Sequence, residues 1–294
     1  MIQISAVMVK QLREKTDAPM MECKKALSEA NGNMIKAEEI LRIKLGLKAS
    51  KTASRLATEG LIGYYISNDN KVGVLVEINC ETDFVTKNDE FISFTNKIAQ
   101  IIAIHNPNNI DELSKMKISD NLSVNDMRLN LIAKIGENIS IRRFNRMETN
   151  NQIIGYVHNS RLGALVTFDG DINVAKDIAM HIVANKPKAL DIKDVNSEDV
   201  EFERTIAEKK AKDSGKPVEI IKKIIDGSIN KFLKEITLLN QAFIKDENVS
   251  VKLFLQTHNT KIYNFSLYIV GDGFEKKENN FADEVALTVA NIKK

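Results

Sequence analysis

Nothing in this sequence approaches the roughly 20 consecutive apolar residues that a membrane-spanning helix needs. The opening residues carry no continuous apolar core of a secretory leader, and Glu14 and Asp17 argue against an organellar transit peptide. Cysteine is scarce: Cys23 and Cys80 stand far apart and form no CxxC pair. That spacing disfavours a disulfide framework or a metal site and predicts two small buried residues in a reducing cytosol. Excess charge of one sign is scarce too. The 42 basic residues nearly balance 40 acidic ones, and a net charge of +2 gives little field for steering onto a phosphate backbone. These absences predict a cytoplasmic chain with no membrane partner and no direct nucleic-acid partner.

The signatures of covalent chemistry are missing as well. There is no GxxxxGK phosphate loop, no GxGxxG turn after a strand and no HExxH. The four histidines, His105, His158, His181 and His258, have no short ligand spacing, and His181, between Met180 and Ile182, reads as a structural or surface residue. Glu38-Glu39 and Asp89-Glu90 read as solvated helix faces, and Gly271-Asp272-Gly273 as a turn. The expectation is a protein that is not an enzyme, needs no cofactor and no metal, and works by binding.

What is present is enough apolar residue, 43% of 294, for two or three packed units. Residues 1 to about 55 read as three short helices. Ser5 is placed to cap the first, with Met8, Val9 and Leu12 on one face, and Thr16-Asp17-Ala18-Pro19 interrupts it. The second carries Met21, Ala26, Leu27 and Ala30 and ends at Asn31-Gly32-Asn33; the third spaces Ala37, Ile40, Leu41 and Leu45 by threes and fours. The basic stretch Lys44 to Arg55 follows as a connecting helix or linker.

From Gly60 the period becomes strand-like. Leu61 to Ile66 and Val72 to Asn79 flank a Ser67-Asn68-Asp69-Asn70 turn, and a helix follows with Phe91, Phe94, Ile98, Ile101 and Ile102 on one face. A second helix spans about Ser123 to Ile135, and Gly136-Glu137-Asn138 turns into a strand. The order then repeats. Ile62-Gly63-Tyr64 and Val72-Gly73-Val74-Leu75-Val76 match Ile154-Gly155-Tyr156 and Leu162-Gly163-Ala164-Leu165-Val166, and a helix again follows, over Val174 to Ala184. A duplicated β-β-α unit is expected. Two helices, 197 to 212 and 217 to 235, interrupt the second copy around Ser214-Gly215-Lys216-Pro217, with Val200, Ile206 and Ala207 expected to face Ile220, Ile221, Ile224 and Ile225. Val251 to His258 reads as a helix, a strand follows with Tyr263, Phe265, Leu267 and Ile269 alternating, and Phe281 to Asn291 reads as a last helix.

The fold class is therefore α+β, with two related small subdomains built on antiparallel sheets. The divisions are an amino-terminal three-helix module (1–55), core subdomain N (56–148), core subdomain C (149–189 and 236–275), a helical hairpin insertion (190–235) and a carboxy-terminal helical module (276–294).

One segment stands out: Asn79-Cys80-Glu81-Thr82-Asp83-Phe84-Val85, between an apolar strand and a helix. Residue types alone favour a plain reading, in which Thr82 or Asp83 prepares the helix start and Phe84 folds into the core. Resemblance points elsewhere. Met20-Met21-Glu22-Cys23-Lys24-Lys25-Ala26-Leu27 is similar to the amino-terminal module of the elongation factor Ts family, and Cys80-Glu81-Thr82-Asp83-Phe84-Val85 resembles that family's Thr-Asp-Phe-Val motif. Ile135-Gly136-Glu137-Asn138-Ile139, Ile178-Ala179-Met180-His181-Ile182, Asn185-Lys186-Pro187 and Ser214-Gly215-Lys216-Pro217 follow in the family's order, from residue 4 to about 290.

The resemblance implies a guanine-nucleotide exchange factor whose partner is the GTPase elongation factor Tu in its GDP-bound form. Carried over by position, Thr82, Asp83, Phe84 and Val85 form the contacting segment. Asp83 and Phe84 would enter between two helices of the GTPase beside its switch region and disturb the groups that hold magnesium and phosphate. Met20, Met21 and Lys24 would contact the GTPase through the amino-terminal module, methionine suiting an adaptable apolar contact. Ile135, Gly136 and His158 match family positions at or near the interface; Gly136 also reads as a turn glycine and His158 as a hairpin surface residue. Pro19 departs from the small flexible residue common in the family at that place. The role of the hairpin and the stoichiometry stay open, a homodimer or a 2:2 complex among the options. Two rivals remain at this point: an RNA-binding protein, suggested by Arg142, Arg143, Arg146 and the Lys44 to Arg55 run, and an adaptor docking partners through its amino-terminal module.

Overall fold

The computed structural model describes residues 4–119, 122–212 and 217–274. The expected terminal helix over 281–291 and the Ser214 to Lys216 part of the hairpin link lie outside those residues. The first three helices are α1 (Ala6–Thr16), α2 (Met20–Glu29) and α3 (Met34–Thr52). Ser5 and Asn33 side chains accept amide hydrogens of Met8 and Lys36, which starts α1 and α3. Asp17, Asn31 and Gly32 take left-handed backbone between the helices. Their inner faces are Val9 and Leu12; Cys23, Ala26 and Leu27; and Ala37, Leu41, Leu45 and Ala49. Met21, expected on the buried face of α2, is 58% exposed. It sits two residues, or about 200° of helix rotation, from Cys23, which takes the inward place. Most of the basic stretch belongs to α3, and two of its lysines are paired: Lys44 with Glu29, and Lys48 with Glu22 at 2.8 Å.

The chain continues through β1 (Glu59–Ile66), β2 (Val72–Cys80), α4 (Asp89–His105), α5 (Ile110–Lys115), β3 (Lys117–Ser119), β4 (Leu122–Ser123), α6 (Val124–Ile135) and β5 (Ser140–Glu148). β1, β2 and β5 form an antiparallel sheet in that order. Phe91, Phe94, Ile98, Ile101 and Ile102 of α4 join Val74, Val76 and Ile78 of β2, α6 and the inner faces of α1–α3 in one continuous core. The amino-terminal helices are pinned to α6 by Asn130, whose Nδ2 donates to the Thr16 carbonyl at 2.6 Å, and by an Arg42–Asp126 pair at 3.1 Å.

A second half follows: β6 (Gln152–His158), β7 (Leu162–Asp169), α7 (Ile172–Asn185), α8 (Ser197–Lys212), α9 (Val218–Ile236), β8 (Ala242–Phe243), β9 (Asp246–Ser250), α10 (Val251–Thr257) and β10 (Lys261–Ile269). β10, β7 and β6 form a second antiparallel sheet. α7 and α10 cover its outer face with Val174, Ile178, Ile182, Val251 and Leu255. The two sheets meet through Ile62, Leu75, Ile153 and Leu165, giving helix, sheet, sheet and helix in layers. Gly73 and Gly163 let the sheets close: a Cβ on Gly73 would come within 2.7 Å of Ile153, and one on Gly163 within 2.7 Å of Ile62.

The repeat extends further than β-β-α. In each half a two-stranded hairpin (β3–β4, β8–β9) leads through a capping serine, Ser123 or Ser250, into a helix and then the third strand of the sheet. The echo over β2 and β7 keeps its register, with Leu75 and Leu165 both between the sheets. Over β1 and β6 it is one residue out. Ile62 lies between the sheets whereas Ile154 packs beneath α7, so the structural counterpart of Ile62 is Ile153. The α8–α9 hairpin packs Val200, Ala207 and Ala211 against Ile221, Ile224, Ile225 and Ile229, while Ile220, expected inside, is 46% exposed. In β10 the register shifts between Ile262 and Asn264, so Ile262 is buried and Tyr263, expected inward, is exposed. His181 is wholly buried. Its Nε2 is 2.8 Å from Gln241 Oε1 and its Nδ1 accepts the Ile244 amide at 3.2 Å, while burial lowers its pKa despite the Gln241 bond.

Candidate functional site

β2 delivers the chain to Cys80, which is fully buried, and α4 begins at Asp89. The eight residues between them make a tight turn. The amides of Thr86, Lys87 and Asn88 donate to the carbonyls of Asp83, Phe84 and Val85 at 3.2, 3.2 and 3.0 Å. Val85 is buried in the core beneath the turn, so it anchors the segment and offers little surface to a partner. Its neighbour Phe84 must then point away. It is 78% exposed, the largest value among the described large apolar side chains. Asn88, not Thr82 or Asp83, caps α4, accepting the amides of Glu90 and Phe91 at 2.9 and 3.2 Å. Asp83 is exposed, and its carboxylate makes no hydrogen bond or ion pair among the described residues. An aromatic ring and a free carboxylate thus stand side by side in water, and the plain reading with Phe84 folded inward does not hold.

The turn is held from behind by groups the motif search did not single out. Glu137, just past α6, accepts the amides of Glu81 and Thr82 through Oε2 at 3.1 and 3.0 Å, and the Thr82 hydroxyl through Oε1 at 2.6 Å. Glu81 returns the contact, accepting the Asn138 amide at 2.6 Å. Arg55 joins from the end of the amino-terminal helices. Its Nη1 lies 3.5 Å from Glu81 Oε1 and 3.4 Å from the Gly136 carbonyl, and its own carbonyl accepts Asn138 Nδ2 at 2.9 Å. Gly136 makes the bend possible, with φ of 86° at the end of α6. The only sequence signal for the clamp was that Glu137 and Asn138 lie within Ile135 to Ile139. Beneath it, burial first and the Glu137 carboxylate second push the Cys80 thiol up to about 12.

Of the other expected residues, Met20 and Met21 at the start of α2 are 57% and 58% exposed, and Lys24 in its middle is exposed. Lys134 of α6 bridges Asp17, just before α2, at 3.4 Å and Glu90, at the start of α4, at 3.1 Å. Asp17, Glu90 and Lys134 line a cleft of about 380 Å³ together with Ser93, Phe94 and Met127. Ile135 is half-buried and Gly136 exposed beside the clamp. His158 belongs to the second sheet, exposed at the end of β6, with Nδ1 3.0 Å from the Tyr156 hydroxyl. The turn after it is docked on β1: the Ile62 amide donates to Ser160, and Arg161 pairs with Glu59 at 2.7 Å. Glu59 lies opposite Cys80 in the sheet, so His158 comes in at the same end of β2 from the other half of the molecule.

The arginines that suggested RNA are engaged inside the protein. Glu77, fully buried, accepts Arg142 Nη1 at 2.9 Å, Arg143 Nε at 2.6 Å and the Gly271 amide at 2.8 Å. Arg142 lies over the Phe274 ring at 3.9 Å and Arg143 over Tyr268 at 4.5 Å. Arg146 donates to the Ala103 carbonyl and pairs with Glu148. The Gly271 to Gly273 segment, expected to be only a turn, is the strap that brings the end of β10 onto this buried carboxylate.

Among the described residues no helix is long and apolar enough to cross a membrane, and no cluster of His, Cys, Asp or Glu is arranged to hold a metal. The family model described as elongation factor TS matches residues 81–272. Elongation factor Ts of Bordetella petrii is 52% identical over 290 residues, 99% of each chain. That of Cupriavidus necator is 51% identical over 294 residues, all of both chains. That of Ralstonia nicotianae is 53% identical over 293 residues, 100% of this chain and 99% of the relative. The chain belongs to the elongation factor Ts family.

Proposed function

We propose that this protein is a cytoplasmic guanine-nucleotide exchange factor that binds elongation factor Tu carrying GDP and promotes GDP release, so that GTP binds during translation elongation. It makes and breaks no covalent bond. Phe84 enters an apolar cleft between two helices of the GTPase domain, and Asp83 competes for the donors and waters that order magnesium, an ion that demands near-ideal octahedral geometry. Met20, Met21 and Lys24 grip the same domain through α2, with Thr82, Ile135, Gly136 and His158 at the interface. The observation that carries this reading is the 78% exposure of Phe84 on a turn anchored by buried Val85 and the Glu137 clamp. A soluble chain leaves a large aromatic in water on a rigid mount chiefly where a partner covers it. The internal pairing of Arg142, Arg143 and Arg146 removes the motive for the RNA-binding reading.

The test is stopped-flow release of a fluorescent GDP from elongation factor Tu, with the wild type and with Phe84→Ala. Burying a phenylalanine contributes about 1.5–3 kcal/mol, so the variant should lose roughly tenfold or more of the catalysed rate. Its thermal stability should hold, since the ring touches little of its own chain. An unchanged rate would remove Phe84 from the mechanism.

A further inference from the structure

Among the described residues the Glu137 carboxylate alone bonds the Glu81 amide, the Thr82 amide and the Thr82 hydroxyl together. It reaches across from the end of α6, 55 residues away in the chain. The return bond from Asn138 to Glu81 and the Arg55 contacts close a knot of three segments: the end of the amino-terminal helices, the exit of β2 and the exit of α6. Two successive amides that would otherwise point to solvent are both satisfied by one oxygen, Oε2. This fixes the plane of the Glu81–Thr82 peptide, and with it the direction in which the next two side chains leave.

We infer that Glu137 is a positioning residue for nucleotide exchange: it acts on the partner through the pose of Phe84, and the Arg55 contact ties that pose to the amino-terminal helices. This inference rests on the exchange-factor reading above. It makes a demand that a general stabilising role does not. If Glu137 works only by aiming Phe84, its loss must matter when Phe84 is present and become almost silent when Phe84 is gone.

The experiment is a double-mutant cycle on the intact protein, read by release of fluorescent GDP from elongation factor Tu and by thermal melts of the factor alone. Glu137→Ala should lower the exchange rate about tenfold in the wild-type background, and by less than about twofold on Phe84→Ala. Glu137→Gln keeps an oxygen for the amides but loses the charge, and should restore part of the rate, leaving about a threefold loss. Any loss of melting temperature should be the same in both backgrounds. Equal factors in the two backgrounds, with Phe84→Ala itself impaired, overturn the inference and leave the exchange reading standing. A Phe84→Ala protein of full activity overturns both. Should Glu137→Ala fail to fold, the Glu137→Gln pair decides by the same comparison.

Discussion

Replacing Glu77 by glutamine removes a charge without changing volume, at a point where both sheets and the chain beyond β10 converge. The wild-type carboxylate has no solvent exposure and accepts from Arg142, Arg143, the Gly271 amide and, at 3.2 Å, Asn79 Nδ2. An amide in its place must turn an NH₂ group toward one of these donors. Removing one partner of a buried ion pair costs about 3–5 kcal/mol, but Arg142 and Arg143 keep 22% and 33% exposure and recover some hydration, so about 2–3 kcal/mol is expected. For a chain of this size that amounts to a fall of roughly 4–10 °C in melting temperature. The pH dependence has a definite sign. Burial alone would raise the Glu77 pKa, and the bonds from Gly271, Arg143 and Arg142 more than reverse this, leaving it below its ordinary 4.5. A group whose folded pKa is depressed contributes stability present above its unfolded pKa and lost as pH falls through the folded one. Melts followed by circular dichroism should therefore show the full gap between wild type and Glu77→Gln at pH 7, closing below about pH 4.5. A gap under about 1 °C at pH 7, or one that widens in acid, would refute the reasoning.

Two further outcomes follow from packing and burial. Gly73→Ala places a methyl 2.7 Å from Ile153 and 3.2 Å from Leu165 between the sheets, and should cost about 1–3 kcal/mol in urea unfolding. Gly227→Ala, within α9 and with no neighbour within 4 Å, should instead add about 0.5–1 kcal/mol; a reversed order of the two would contradict the assignment of the inter-sheet face. Cys80, its thiol pushed up to about 12, and Cys23, raised by burial, should both escape iodoacetamide at pH 8 in the native protein and both react in denaturant. Mass spectrometry counts the adducts, and rapid native labelling would count against the buried placement.

The helices were legible because their signals are local: Ser5 as a cap, Asn31-Gly32 as a left-handed break, Gly136 as a turn glycine, and an apolar stripe on α4 whose five named residues are all buried. The strands of the duplication were legible as a pattern but not as faces. Shifting a strand by one residue exchanges its two sides, and Ile62 and Ile154 look alike in sequence while lying on opposite ones. The second hairpin of each repeat stayed hidden because β3, β4 and β8 are two or three residues long, too short for any period to register. The motif at 80–85 was visible, but residue types gave the wrong default for Phe84. What turns it outward is Val85 taking the inward place and Asn88 taking the cap, a choice made by the geometry of the turn. Glu137 and Arg55 were out of reach for a different cause, since their partners are 55 and 26 residues away.

The energy needed for exchange says how much of this surface must take part. GDP held at nanomolar affinity represents about 12 kcal/mol, and a ten-thousand-fold loosening requires about 5.5 kcal/mol of coupling between nucleotide and factor. On the proposed mechanism Phe84 supplies about 1.5–3 kcal/mol, so roughly half must come from elsewhere. On the same mechanism the exposed Met20 and Met21 are further apolar contributors. Both groups contribute fully only if they are held in place beforehand, because each flexible side chain ordered on binding costs about 0.5–1.5 kcal/mol. The Lys134 bridge between Asp17 and Glu90, and the Arg55 contact to Glu81, hold the amino-terminal helices against the Phe84 turn before any partner arrives. The coupling in the proposed mechanism is also reciprocal: bound nucleotide must weaken the factor's own affinity by the same factor, which makes its release possible.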